Sequence, residues 1–455
     1  MDRNTLTAAY LAEVKRQGIS FSDLVGSQAS SELLNSFYKG RYLARPLFLG
    51  RAELDQLEKD LATLHSALVS LPDRLYGGDI AAFARAVGMN DLQISAVART
   101  RGAAVSSLYR ADLYLDDSGF RLLELNMGSA LGGMDCGDMA IAHLEHPVLA
   151  AFAQEHDLDY VDTMREEVKL ILTETGYPQD ASPTMVMTDW PSSWEYLEPY
   201  LTKYAARLSK LGLDAHAAHI GQLKVAEGRV WLGDRPVDII YRVFTLEELM
   251  ESEEAPKLMD PILDAVARGE VKLMTPMDSE MFASKGAMAI LSDEENRSVF
   301  SAEELACLDR ILPWTRMVRP GPVTLEDGSQ VDLLDYVLSH QDDLVLKPTW
   351  LHGGSGVVLG WLKDVTPESW EKQVRAALDG PFVIQRRIRP VPELFQTEDG
   401  DVTPWIVAWG VFMMLGRYAG AFVRAATVES NVEVINVAGG HAYVSACLEE
   451  QPGAE

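Results

Sequence analysis

Residues 109–127 read YRADLYLDDSGFRLLELNM, and this stretch decides the fold. Its two halves, 109–116 and 120–127, are rich in aliphatic and aromatic residues, and they flank Asp117-Ser118-Gly119, a three-residue link whose glycine suits positive φ. The expected structure is a β-hairpin with Asp116 opposite Phe120. That register sets Asp112 opposite Glu124 and Arg110 opposite Asn126, and the two-residue period of a strand puts all four side chains on one face. Two carboxylates, an amide oxygen and a guanidinium then converge. Such oxygen donors suit Mg²⁺, which usually takes one or two carboxylates and completes its shell with water and phosphate oxygens. The arginine suits a phosphate or a developing oxyanion. A solvated hairpin with surface polar groups is the plain alternative. The continuation Asn126-Met-Gly-Ser-Ala-Leu-Gly-Gly-Met134 favours a site: glycines at 128, 132 and 133 let backbone approach a ligand closely, and Ser129 adds a hydroxyl beside it.

On either side the pattern changes. From Thr5 to about Thr100 spaced apolar residues, as in AELDQLEKDLATLHSALVSL and DIAAFARAVG, predict a helical entry segment. After the hairpin, MAIAHLEHPVLAAFAQEH and YVDTMREEVKLILTETG predict two more helices. Residues 184–245 alternate: TMVMTDW as strand, WEYLEPYLTKYAARLSKLG as helix, then DAHAAHIGQL, RVWLG and VDIIYRVF as strands, a small α/β unit with a partly parallel sheet. Asp189 and Ser192, at the end of its first strand, are candidate substrate contacts, since open α/β sheets bind ligands beyond their strand carboxyl ends. In the last third, strands are expected at 344–348, 356–361, 382–388, 405–415 and 418–425, with a helix in PESWEKQVRAAL.

The segment DDLVLKPTWLHGGSGVVLGW places Lys347 at the end of one strand and Gly353, Gly354, Ser355 and Gly356 in the loop to the next. Backbone amides of such a loop can fold over polyphosphate while the ammonium neutralises it. This is not the Walker pattern, and an ordinary turn is the alternative. Lys285 in SKGAMAIL, Gln385 in PFVIQRRI and Arg424 in GAFVRAAT also set polar groups within or beside apolar elements. Buried Lys or Arg is costly without an anion, so a nucleotide suits several of them, while Gln385 also fits a solvated edge strand.

Composition limits the partners. The 455 residues, 47% hydrophobic, suffice for a large core and two or three lobes. Lys plus Arg number 40 against 68 Asp plus Glu, and the charge of -28 repels a phosphate backbone, arguing against nucleic-acid and anionic-membrane partners. Cys136, Cys307 and Cys447 are widely spaced, suggesting neither disulfides nor a zinc site and pointing to a reducing cytoplasm. No apolar run suggests a signal peptide or a membrane span. His143-Leu-Glu-His146 lacks the order of a zinc helix, Cys136 reads as a buried thiol, and Trp190, Trp194 and Tyr196 read as packing aromatics.

Taken in order, Arg110-x-Asp112, Glu124-x-Asn126, VDIIYRVFTLEEL, SKGAMAIL, VLKPTW with its glycine loop, FVIQRRIRPVP and a terminal strand bearing Arg424 resemble the synthetase part of glutathionylspermidine synthase and related circularly permuted ATP-grasp ligases. In that family the magnesium-holding residues precede the nucleotide lysines, as here. The resemblance runs from about Tyr109 to Tyr443 and is to the synthetase part alone, with no amidase domain expected ahead of it. It implies a mixed α/β, ATP-grasp-like fold with a helical N-terminal segment and a small Rossmann-like pre-ATP-grasp domain. The expected division is 1–180 (helices plus the Mg-binding hairpin), 181–275 (the small α/β domain) and 276–455 (the nucleotide-binding lobes). The resemblance further implies that Asp112, Glu124 and Asn126 bind Mg²⁺ and that Arg110 steadies the transferring phosphoryl group or tetrahedral intermediate. Lys285 and Lys347 would hold ATP, Gln385 would open the strand into the adenine hinge, and Arg424 would bind the acyl phosphate or carboxylate. Where the family continues Ala-Asp-Thr-Pro, this chain has Met127-Gly-Ser-Ala130, so the carboxylate pocket differs. The implied activity is ATP- and Mg²⁺-dependent, ADP-forming joining of a small carboxylic acid to an amine, of amino-acid, peptide or polyamine kind, through an acyl phosphate. An ATP-dependent kinase and a non-catalytic ATP-binding protein on the same fold are the alternatives, and a homodimer stays open as the assembly.

Overall fold

The computed structural model describes residues 2–100, 104–128, 131–351, 354–430, 434–437 and 439–452; Ser129 and Gly353 lie outside the described residues. Strands Tyr109–Asp116 and Gly119–Met127 form the expected hairpin, with Arg110 opposite Asn126 and Asp112 opposite Glu124. The turn departs from expectation. Asp116 faces Gly119 rather than Phe120, and the lost residue is recovered by a β-bulge after Asp112 that leaves Leu123 outside the pairing. The Asp116 carboxylate accepts from Ser118 N at 2.8 Å and Ser118 Oγ at 2.6 Å, a local turn that closes the link one residue early.

Among the described residues the hairpin joins a six-stranded antiparallel sheet. Tyr443–Ser445, Arg417–Thr427, Val402–Met414, Tyr109–Asp116 and Gly119–Met127 lie side by side, and Glu393–Gln396 adds to Val402–Met414. Strand alternation divides the hairpin's roles. Tyr109, Ala111 and Leu113 enter the core, while Arg110 and Asp112 face the opposite side. Behind them runs helix Arg51–Val69, whose leucines 54, 57, 61, 64 and 68 fall on one buried stripe. It anchors the hairpin: Tyr109 donates its hydroxyl to the Leu61 carbonyl at 2.8 Å, and its ring stacks on His65 at 4.8 Å.

A second antiparallel sheet, Thr315–Met317, Phe382–Arg386, Leu344–Pro348 and Val358–Leu359, faces the first. The strand expected at 344–348 is observed with those limits, whereas that expected at 356–361 shrinks to Val358–Leu359. The α/β unit is parallel throughout its described strands, in the order Lys272–Met274, Ile239–Arg242, Thr184–Asp189, Asp214–His219, with helix Trp194–Lys210 connecting the last two. RVWLG does not belong to it. Arg229–Leu232 pairs with Leu223–Ala226 and Arg235–Val237 in a separate meander. The two helices expected after the hairpin are three, Cys136–Leu144, Pro147–Glu155 and Thr163–Thr175, because Pro147 opens a new helix capped by His146. No described helix is long and apolar enough to cross a membrane.

Candidate active site

Between the two antiparallel sheets lies a cavity of about 1080 Å³. Into it converge Arg110, Asp112, Glu124 and Asn126 from the hairpin, Arg424 from Arg417–Thr427, and Lys347 and Gln385 from the facing sheet. The register sets Phe422, Gly410, Asp112 and Glu124 abreast across four strands. Glycine at 410 suits the crowding there: a Cβ would stand 3.0 Å from Arg110 Cδ and 3.1 Å from the Phe422 carbonyl, so its neighbours would have to shift. Bare backbone lets the Arg110 guanidinium lie over the sheet toward Asp112.

Asp112, 3% exposed, is clamped between two arginines. Arg110 donates through Nε to Oδ1 at 2.7 Å and through Nη2 to Oδ2 at 3.1 Å, Arg424 Nη2 reaches Oδ1 at 2.9 Å, and Asn126 Nδ2 donates to Oδ2 at 3.3 Å. Glu124 pairs with Lys285 at 3.2 Å. Lys285 opens helix Lys285–Ser292, capped by Ser284, and its ammonium also donates to the Leu351 carbonyl at 3.2 Å. Lys347 is buried; it donates to Gln385 Oε1 at 2.6 Å and to the carbonyl of Leu123, the bulged residue, at 3.1 Å. Burial pushes its ammonium down to about 8, with Lys285 pressing the same way and Glu124 opposing.

The charge balance is unlike that of the whole chain. Among the described residues, the ion pairs and hydrogen bonds of this cluster set Arg110, Arg424, Lys285 and Lys347 around Asp112 and Glu124, four positive charges to two negative ones within a protein of net charge -28. Arg424 Nε is buried without a hydrogen-bond partner among the described residues. Buried cations in excess create an anion site. Among the described residues no three or more His, Cys, Asp and Glu side chains gather as a metal centre. Two carboxylates and an amide oxygen do adjoin the arginines, a donor set that suits a cation sharing its shell with phosphate.

The glycine loop follows its strand as expected, and Gly354 and Val357 line the cavity; Ser355 and Gly356 belong to the loop but do not line it. Asp189 and Ser192 are not brought to this cavity. Asp189 is buried at the end of Thr184–Asp189, its carboxyl pushed up to about 6 by burial, and Ser192 is exposed beyond it. Several lining residues escape sequence reasoning: Phe37, Tyr38, Tyr114, Trp361 and Val434. Tyr114 alone had a local signal, two residues beyond Asp112 on the same strand face. Tyr196, expected as a packing aromatic, is instead 70% exposed, while the other discounted features are structural. Trp190 packs on Phe244 at 5.4 Å; burial pushes the Cys136 thiol up and the His143 imidazole down to about 3, and His143 Nε2 shares a 2.8 Å hydrogen bond with Ser445 Oγ.

No protein-family model and no curated protein matches the sequence. Among solved structures, a glutathione synthetase like-effector (GSS30) from Globodera pallida, in apo form, superposes with TM-score 0.57 at 11% identity, over 98% of this chain and 97% of its own. A Methylobacillus flagellatus KT protein with a provisional gamma-glutamylcysteine synthetase assignment covers 88% of this chain and 89% of its own at 14% identity, but with TM-score 0.44 it carries no argument. The first likeness is one of fold, and with the sheets described above it shows this chain to be a mixed α/β protein of ATP-grasp-like architecture.

Proposed function

We propose that this chain is an ATP- and Mg²⁺-dependent ligase that joins a small carboxylic acid to an amine and releases ADP. One observation carries the reading: side chains from residues 110–126, 347–385 and 424 line one cavity, with Lys285, which does not line it, paired to Glu124 at its wall. In the same proposal, residues 1–180 supply the helices and hairpin, 181–275 the Rossmann-like unit and 276–455 the nucleotide-binding lobes.

Asp112, Glu124 and the Asn126 amide oxygen would hold Mg²⁺, which when bound shields phosphate charge and draws phosphate oxygens into line. Lys347 and Lys285 would neutralise the ATP phosphates, with Gln385 orienting the Lys347 ammonium through their 2.6 Å hydrogen bond. The loop bearing Gly353, Gly354, Ser355 and Gly356 would cover them. A carboxylate oxygen of the acid attacks the γ-phosphorus and the bond to ADP breaks. The amine nitrogen then attacks the acyl carbon, phosphate leaves, and the nitrogen loses a proton. Arg110 and Arg424 stand where charge builds in both steps. Positioning and charge neutralisation supply most of the rate in phosphoryl transfer. Ser129 stays within the proposal as a substrate contact, and Asp189 and Ser192, which do not line the cavity, stay in it only as contacts outside the cavity, at the end of strand Thr184–Asp189.

The test is to incubate the protein with Mg-ATP, hydroxylamine and pools of carboxylic acids. Acid-dependent ADP and hydroxamate, both lost in Glu124→Gln, are expected. AMP in place of ADP, or turnover undiminished in Glu124→Gln, would reject the proposal.

A further inference from the structure

The end of the cavity beside the two arginines is aromatic. Phe37 and Tyr38, at the C-terminal end of helix Glu32–Tyr38, meet edge to face with centroids 5.3 Å apart, and Tyr38 lies 5.8 Å from the Phe422 ring. All three line the cavity. Phe422 is two residues from Arg424 on the same strand face, and the Arg424 guanidinium sits 5.9 Å from the Phe422 ring centre. Gly133 lies flat against that ring, since a Cβ there would come within 2.3 Å of it, and Arg110 ties the preceding residue down through the Gly132 carbonyl at 2.6 Å. The aromatic wall therefore begins where the arginine pair ends.

Among the described residues, two polar groups beside this wall are already engaged. The Tyr38 hydroxyl donates to Asp135 Oδ1 at 2.7 Å, and the Asn436 amide oxygen accepts from Gly439 N at 2.6 Å. A second charged group on the acid would meet aromatic carbon there and lose its hydration without a partner. We propose that the acid activated in this site carries one carboxylate and a bulky apolar or aromatic substituent, the carboxylate toward Arg110 and Arg424 and the substituent against Phe37, Tyr38 and Phe422. The inference rests on the ligase reading and narrows its substrate: it turns away from peptide acids with several charges and toward aryl- and branched-alkyl carboxylic acids.

Phe37 is half-buried, so replacing it tests the pocket without emptying the core. Hydroxamate formation with Mg-ATP would be measured for 3-phenylpropionate, isovalerate, glutarate and glutathione. The apolar acids are expected to exceed the other two by about tenfold or more in kcat/KM, the discrimination a hydrophobic pocket typically gives. Phe37→Ser should raise KM for 3-phenylpropionate with kcat little changed, and leave KM for ATP alone. Preference for glutarate or glutathione would overturn the inference while the ligase reading stands. If no acid yields hydroxamate, the ligase reading fails, and calorimetric titration of 3-phenylpropionate against glutarate, with Mg²⁺ and a non-hydrolysable ATP analogue present, still decides: selective binding weakened in Phe37→Ser supports the aromatic pocket, and equal binding overturns it.

Discussion

Replacing Asp112 by Asn changes one atom and removes the charge that holds the centre of the site together. Arg110 and Arg424 both lie within 3.1 Å of this carboxylate, and their side chains are each 10% exposed. The amide of Asn offers one acceptor oxygen where two guanidiniums now share the two oxygens of a singly charged carboxylate, and its own N–H groups point at donors. Leaving buried charges without their partner costs roughly 3–5 kcal/mol. Part of this is recovered by solvent at the cavity mouth, so about 3 kcal/mol is expected. At roughly 2–4 °C per kcal/mol for mid-sized domains, the melting temperature falls by several degrees. Added inorganic phosphate supplies the missing negative charge, so it should stabilise Asp112→Asn more than the wild-type protein. ADP release should fall to background in either case, because phosphate restores charge and not a metal ligand. Thermal unfolding with and without phosphate, alongside an ADP assay, reads all three effects. A variant that melts within a degree of wild type and turns over ATP would show that Asp112 is neither counter-ion nor ligand.

The remaining predictions concern other parts of the same structure. Because burial brings the Lys347 ammonium down to about 8, it loses its charge as pH rises through that value, and kcat/KM for ATP should drop along this limb; Lys347→Met should abolish the limb together with most ATP affinity. Gly410→Ala forces a methyl against Arg110 Cδ and the Phe422 carbonyl, so turnover should fall by about tenfold or more from misplacement of the guanidinium, while denaturant titration shows a loss of only about 1–3 kcal/mol. Asp135 and Glu449 are buried, accept from the Tyr38 and Tyr418 hydroxyls, and have carboxyls pushed up by burial to about 7 and about 8. Their folded values exceed the unfolded values of about 4, so the native state holds protons that the unfolded chain releases; this stability is full below about pH 4 and is lost as pH rises toward 8. Urea titrations at pH 5 and pH 8 should show the loss, and Asp135→Asn should shrink it.

What the sequence discloses follows the range of the forces involved. The hairpin was legible because alternation and turn residues act within a few positions, and the facing of Asp112 with Glu124 and Arg110 with Asn126 came out as read. The bulge was not, since it is set by the Asp116–Ser118 turn at one end and by Lys347, more than two hundred residues away, taking the Leu123 carbonyl at the other. Leu344–Pro348, Thr184–Asp189 and Ile239–Arg242 are largely apolar and are legible as strands, whereas Lys272–Met274, Thr315–Met317 and Tyr443–Ser445 are three-residue strands with no pattern of their own. Phe37 and Tyr38 gave no sign of the cavity. Their place there depends on packing against Phe422, a contact across nearly the whole chain. Asp189 and Ser192 follow from a general rule about where open α/β sheets bind ligands, whereas the described cavity opens between the two antiparallel sheets, a placement set by long-range packing.

The site's long-range construction has a consequence for how nucleotide binding and folding are coupled. Asp112 pairs with Gly410 and Arg110 with Phe412 across the centre of the six-stranded sheet, and strand Leu47–Leu49 lies parallel to Cys447–Glu450. Loop closure over such separations must be met before the pairing repays it, so these strands join late in folding. Until they join, Arg424 has no Asp112 and Lys347 has no Leu123 carbonyl. A ligand that binds the assembled cavity therefore stabilises the six-stranded sheet that lines it, by an amount set by its concentration relative to its dissociation constant. Mg-ATP should accordingly protect the amides of 109–127 and 402–427 from hydrogen exchange together, while leaving the meander at 223–237 unaffected. Protection confined to the facing sheet at 344–386 would mean that the nucleotide never engages the carboxylate hairpin.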